Sequence, residues 1–198
     1  MSQAGKPSGL AGVIFGWIMQ RSNRQMNRMI ASELGLTGSE RVLEIGSGTG
    51  DALIEISARI PAGNVLGIDH SSLMVKHARS RNRSQDNVTI QLADFALFSA
   101  QPESFERILL SNVHQFWDEP VARFKQIAQL LSAGGILTVA IRIQDPQNRS
   151  YFSRIGYDQT RQQQLFEQLN QAGFNTLIRS YKTLVKMDML LIQCSLDS

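Results

Sequence analysis

One cysteine, three histidines and little surplus charge narrow what this 198-residue chain can be. A lone thiol, Cys194, forms no internal disulfide, so the fold has to rest on its apolar core. The thiol suggests either a reducing compartment or an inert buried group, its apolar neighbours favouring the second, and the expected location is cytoplasmic. The histidines, His70, His77 and His114, fit no zinc-ligand spacing, and no metal is expected. No serine or cysteine stands in a nucleophile elbow. Twenty basic against 17 acidic residues leave a net charge of +3. That is too slight an excess for a nucleic-acid footprint, and no aromatic-basic interleaving supplies one. The apolar run Leu10–Met19 is too short to span a bilayer. Gln20, Arg21, Ser22, Asn23 and Arg24 follow it and offer no small-residue cleavage site. Neither a stable membrane anchor nor a cleaved signal is expected.

What is present suits one domain with a sizeable core, at 42% hydrophobic residues. Residues 1–11 are rich in glycine, serine and proline. A helical pattern from Val13 to Leu34 carries the stripe Trp17, Met19, Met26, Met29, Ile30 and Leu34, and ends at Gly35 and Gly38. Strand and helix patterns then alternate. Strands are expected at 41–46, 64–69, 87–92, 105–112 and 135–142, with helices at 50–60, 71–83, 118–131 and 158–172. Two closing strands, 174–181 and 185–194, flank a turn too short for anything but an antiparallel hairpin. The alternation calls for an α/β fold: a Rossmann-like, doubly wound, seven-stranded, mostly parallel sheet with that hairpin at its end. The expected division is an N-terminal tail and helical lid, 1–37, and a ligand-binding domain, 38–198, within one domain overall.

The most informative segment is 41–51. A buried-strand run, Val42–Ile45, contains Glu44 and stops at Gly46, Gly48 and Gly50. Glycines there let bare backbone lie against a ligand. The spacing is not the Gly-x-Gly-x-x-Gly of dinucleotide sites, because Asp51 and Leu53 fall where the third glycine would be. Nor does a P-loop Gly-Lys-Ser/Thr follow. Asp51 at a helix start would also repel a pyrophosphate. It reads equally as a ligand contact or as a simple helix-start acid. A second strand ends in Asp69, 19 residues after Gly50, where a carboxylate can accept both hydroxyls of a ribose. A third closes on Asp94. Glu44 inside an apolar strand is costly unless bonded, which favours a ligand-facing role.

These pieces resemble the class I S-adenosylmethionine-dependent methyltransferases. The matching blocks are Val42–Gly50, Gly67–Ala78, Leu92–Asp94, Ser104–Ile108 with Ser111–His114, and Leu130–Leu137, in the family's order and spacing over about residues 38–142. The resemblance implies an S-adenosylmethionine cofactor, with S-adenosylhomocysteine as product. Glu44 and the backbone of Gly46 and Gly48 would face its methionine end, with Ser47 and Gly50 completing that part of the site. Asp69 would hold the ribose, with His70 beside the adenine. Asp94 would bind the adenine amino group between Ala93 and Phe95. Asn112 and His114 would lie near the sulfonium. Many relatives carry a bulky apolar residue where His70 stands, and Asp where Glu106 stands. Residues 111–114 lack the Asn/Asp-Pro-Pro-Tyr/Phe motif of base-amino methylation.

Methyl transfer from a sulfonium needs alignment and water exclusion more than a strong base. His114 is the catalytic candidate, either as a base near neutral pH or as a residue that only lines the pocket. His77, on a helix, reads as a surface residue. For the acceptor, Trp17, Asn23 and Met26 on the N-terminal helix, Trp117, and Tyr151 and Tyr157 on the loop Gln147–Tyr157 are the candidates. Such aromatics suit a flat or apolar small molecule. The N-terminal stripe reads as a lid or as ordinary core, and less well as a membrane-surface helix. Rival readings are a binding module without transferase activity and another enzyme on this fold, such as an aminopropyl transferase. The expected partner is a small-molecule acceptor, with the chain a monomer or homodimer.

Overall fold

A computed structural model describes residues 24–144, 156–182 and 188–196. A helix, α1, covers residues 24–33. The strands and helices that follow are β1 (Arg41–Ile45), α2 (Asp51–Ser57), β2 (Asn64–Asp69), α3 (Ser72–Arg81), β3 (Val88–Leu92) and β4 (Phe105–Ser111). The chain continues through α4 (Pro120–Leu130), β5 (Leu131–Ile143), α5 (Gln159–Gln171), β6 (Phe174–Lys182) and β7 (Asp188–Leu196). One sheet joins all seven strands in the order β3-β2-β1-β4-β5-β7-β6. The first five strands in sequence pair in parallel, and β7 pairs antiparallel with both β5 and β6. This is the expected doubly wound sheet with its closing hairpin.

Alternation along each strand separates two apolar layers. Leu43 and Ile45 of β1, Ile108 and Leu110 of β4, and Leu137, Val139 and Ile141 of β5 point one way, against Phe124 and Ile127 of α4 and Leu165 and Leu169 of α5. Val42, Leu109 and Ala140 point the other way, against α1, α2 and α3 through Ile30, Leu34, Leu53, Ile56, Val75 and Ala78. By the same alternation Glu44 belongs to this second layer. The strand order reverses beside β1, which pairs with β2 on one side and β4 on the other. At such a switch point the two βα turns diverge and leave a crevice beyond the strand ends.

The described helix of the N-terminal pattern is 24–33, against the expected Val13–Leu34; Val13–Asn23 lies outside the described residues. Met26, Ile30, Ala31 and Leu34 are buried at helical spacing in the second layer. Past the helix, Gly35 takes a left-handed φ of 62°. Arg107 of β4 donates to the carbonyls of Leu34 (2.8 Å) and Gly35 (2.9 Å), so part of the sheet satisfies groups that a helix end leaves open. β5 begins at Leu131, directly after α4, four residues before its expected start. Its register against β4 jumps from Phe105↔Leu131 to Arg107↔Ile136. The Ser132–Gly135 stretch bulges out of the ladder, with Gly134 at φ 71°. Among the described residues no helix is long and apolar enough to cross a membrane.

Gly63, before β2, shows how tightly the strand starts are set. A Cβ there would collide with the backbone of Glu40, whose carbonyl receives Asn64 N–H at 3.0 Å. Gly63→Ala is expected to lower stability by roughly 1–3 kcal/mol, as overpacking against backbone does. Urea unfolding checks this; an unchanged midpoint would show that the turn yields freely.

Candidate functional site

The turn after β1 is built by three left-handed glycines with different reasons for being glycine. Gly46 (φ 73°) and Gly50 (φ 75°) have no room for a Cβ, which would strike Val113 and Asn82 respectively. Gly48 (φ 53°) faces open space, so its backbone geometry alone requires glycine. The amides of Gly46 and Ser47 both donate to the carbonyl of Ile68, at 2.8 and 3.0 Å. Gly48 N–H donates to Asp69 Oδ2 (2.9 Å), and Ser71 N–H donates to Asp69 Oδ1 (2.8 Å). Asp69, 8% exposed, therefore ties the end of β2 to the glycine turn and to the start of α3. The far end of α3 returns to the same turn. Asn82 donates to the Gly50 carbonyl at 3.1 Å, and Arg81 pairs with Asp51, which also accepts from Thr49 Oγ1 at 2.8 Å.

Two cavities meet at Gly46. The larger, about 460 Å³, holds Asp69, His70, Ala93, Asp94 and Phe95 on one side and Val113, Phe116 and Trp117 on the other. Phe95 stacks on Trp117 with ring centres 5.7 Å apart. Asp94 Oδ1 accepts the amide of Ala96 (2.9 Å) and starts a short 3₁₀ turn, Phe95–Leu97. His70 stands at the mouth with its side chain 84% exposed. The smaller cavity, about 170 Å³, is lined by Glu44, Gly46, Ser47, Gly48, Thr49 and Asp51. Met26 and Asn27 of α1, Asn112 after β4 and Arg142 of β5 close it. Gly50 borders neither directly, but its carbonyl anchors the turn through Asn82.

Glu44 is 3% exposed, and its Oε2 has no hydrogen-bond partner among the described residues. Ser47 Oγ is buried in the same state. Burial first, then the nearby charges of Asp51 and Asp69, push the Glu44 carboxyl up to about 8. Asp51 is the first residue of α2 and also lines this cavity. Asn112 has a left-handed φ of 53°, and its Oδ1 accepts the amide of Arg142 at 3.0 Å, so the turn after β4 is held to β5.

His114 does not share a cavity with Asn112. It lines a third one, about 470 Å³, between residues 114–120 and α5. Its Nε2 lies 2.8 Å from the Tyr157 hydroxyl, and burial lowers its pKa to about 4. Trp117 borders the first and third cavities, Tyr157 only the third and Met26 only the second. Trp17, Asn23 and Tyr151 lie outside the described residues. His77 is exposed, and Cys194 is buried with its thiol pushed up to about 12 by burial. Sequence reading missed Arg81, Asn82, Asn27 and Arg142. An Arg-Asn pair closing a helix is the only local signal of the first two, and it usually marks a solvated helix end. No cluster of metal ligands occurs among the described residues.

A reversed parallel sheet with this crevice, an acid at the end of β2 and no pyrophosphate turn has the layout of α/β folds that bind ligands beyond their strand ends. Comparison with known proteins narrows the class. A family model described as a methyltransferase domain matches residues 42–135. The chain is 24% identical over 176 residues to the uncharacterized methyltransferase YdaC of Bacillus subtilis (strain 168), covering 87% of this chain and 92% of that one. It is 31% identical over 93 residues to the ubiquinone/menaquinone biosynthesis C-methyltransferase UbiE of Citrifermentans bemidjiense, covering 45% of this chain and 40% of that one. In fold it is similar to a SAM-dependent methyltransferase from Aquifex aeolicus, with TM-score 0.71 and 17% identity over 85% of this chain and 89% of that one. The methyltransferase-domain match covers just under half of the chain, and the likeness in fold to S-adenosylmethionine-dependent methyltransferases extends over most of it.

The raised Glu44 pKa has a consequence for the free protein. The folded chain keeps that proton up to about pH 8, whereas the unfolded chain releases it near 4.5. Folded binds more protons than unfolded across that window, so this group makes stability fall as pH rises. His114 acts oppositely between about 4 and 6.5, where the unfolded chain takes up the proton that the folded one refuses. The Glu44 effect therefore stands clear of it between pH 6.5 and 8. Urea midpoints should fall over that interval, and Glu44→Gln should flatten the fall; equal slopes in both chains would mean that Glu44 is ionised throughout.

Proposed function

We propose that this methyltransferase acts on a small-molecule acceptor, with its cofactor extended across Gly46 from the larger cavity into the smaller. The observation that carries this reading is the pair of orphaned buried oxygens, Glu44 Oε2 and Ser47 Oγ, at the end of a crevice whose other end presents Asp69. Buried polar atoms without partners are costly, and a ligand that bonds them removes the cost. A nucleoside fits the larger cavity. Each Asp69 oxygen already accepts one backbone N–H and keeps lone-pair capacity for a ribose hydroxyl. His70 edges that space, and Ala93, Asp94 and Phe95 bound the base. The ammonium of an amino-acid end fits the smaller cavity, where Asp51 is at hand and Glu44 becomes negative on giving up its proton, and Gly46, Gly48, Gly50 and Asn112 set the backbone around it.

When bound, S-adenosylmethionine supplies a methyl group already activated by its positive sulfur. The residues of this chain then have to orient it and keep water out. The fixed turns at Gly46–Gly50 and Asn112 hold position, and Phe116 and Trp117 wall the crevice. Orientation of this kind can supply ~7–11 kcal/mol of a barrier. His114, neutral at physiological pH, is read as a residue that shapes the acceptor side. Residues 24–33 cover the smaller cavity through Met26 and Asn27, which supports reading residues 1–37 as a lid on a domain spanning 38–198. The aromatic wall, a third cavity of ligand size and the UbiE likeness support a small-molecule acceptor. The single buried Cys194 supports action in a reducing compartment, the cytoplasm.

Calorimetry should show binding of S-adenosylmethionine and S-adenosylhomocysteine and none of NAD; a preference for NAD would sink the donor assignment. Asp69→Asn, which keeps an acceptor for the Gly48 amide, should weaken S-adenosylhomocysteine by roughly 1.5–3 kcal/mol, since hydrogen bonds to a charged acceptor are lost. An unchanged affinity would remove the ribose from Asp69.

A further inference from the structure

The third cavity is separate from the two that meet at Gly46, yet Phe116 and Trp117 border both it and the nucleoside space. Its chemistry is one-sided. Arg161, Gln164 and Gln168 stand at i, i+3 and i+7 on one face of α5, and Gln115 faces them from the turn after β4. No aspartate or glutamate lines it, and among the described residues no carboxylate pairs with the Arg161 guanidinium. At its edge lies the His114–Tyr157 pair, with the two residues 4% and 6% exposed. His114 Nδ1 is buried with no hydrogen-bond partner among the described residues.

The hydrogens of that pair can be counted. If Tyr157 O–H donates to Nε2, the imidazole proton sits on Nδ1 and has no acceptor. If Nε2–H donates to the phenol oxygen, the phenol proton is the one left over. Either way a neutral pair keeps one donor to spare. Burial keeps both groups neutral by lowering His114 and raising Tyr157. With one fixed cation and several carboxamides, the cavity offers donors and positive charge beside an aromatic wall.

We propose that this cavity receives the carboxylate of a small organic acid, and that this acid is the methyl acceptor: its flat or apolar body lies along Phe116 and Trp117, and a nucleophilic atom at its far end bonds the methyl as the methyl–sulfur bond breaks, S-adenosylhomocysteine leaving as the thioether, the nucleophile's proton passing to solvent and the carboxylate remaining free. The proposal rests on the small-molecule methyltransferase reading. A single guanidinium with neutral amides matches one negative charge, and a cationic amine would meet Arg161 with nothing to balance it.

Benzoate and benzyl alcohol serve as probes, followed by NMR at the Trp117 indole N–H and the Gln164 and Gln168 amides, in protein with and without saturating S-adenosylhomocysteine. Benzoate should shift these signals and bind at least tenfold tighter than benzyl alcohol, and Arg161→Gln, on an exposed side chain, should erase the difference. Equal binding of the two probes, or a benzoate response untouched by Arg161→Gln, overturns the anion site. With methyl-labelled cofactor and a cell extract, label should enter small molecules retained by anion exchange. Label only in unretained small molecules overturns the acidic acceptor. Label only in macromolecules sinks the small-molecule reading instead, while the benzoate titration still decides the site.

Discussion

The Asp69 carboxylate is the joint on which the site is built. One oxygen holds Gly48 and the other holds Ser71, so a single side chain fixes the glycine turn, the end of β2 and the first residue before α3. Asn82 and Arg81 then bring the far end of α3 back to Gly50 and Asp51. The result is a closed ring: turn, carboxylate, helix, turn. A ring of this kind resists the shear that would otherwise separate α2 from α3, because each helix is held to the same six-residue stretch of backbone. It also explains why a left-handed triple of glycines, entropically expensive by itself, is kept in one shape.

Much of this architecture was legible beforehand. Parallel strands buried on both faces read as apolar runs, so β1, β2 and β4 stood out, and the acids that close the second and third strands, Asp69 and Asp94, marked the binding edge. The hairpin was readable because its turn leaves no room for a crossover. β5 was the exception at its start. Ser132, Ala133, Gly134 and Gly135 look like a turn and do turn, but Leu131 is already paired with Phe105 ahead of them. A bulge keeps a ladder going through residues that local propensity assigns to a loop.

The site was less legible than the sheet, for two physical reasons. The first is distance in sequence. Asn82 is 32 residues from the carbonyl it binds, and Tyr157 is 43 residues from the imidazole it meets, so no spacing rule connects them. The second is burial. His114 was weighed as a base near neutral pH because that is where an unperturbed imidazole titrates; Phe124 and Tyr157, whose rings pack on it, come from other elements. Asn112 and His114 are two residues apart, yet the left-handed turn at Asn112 sends them to different cavities.

Glu44 belongs to the layer of the sheet that packs on α1 and α2, and burial with the nearby charges of Asp51 and Asp69 favours its protonated form near neutral pH. A cation docking beside it would take the place of that proton. Association with such a ligand is then an exchange, one positive charge arriving as another leaves for the solvent, and the heat measured for it includes the ionisation of whatever buffer receives the proton. Near neutral pH the same exchange would make the affinity for a cation at this place rise as protons become scarcer, so a guest bound behind the glycine turn would be held according to acidity as well as shape.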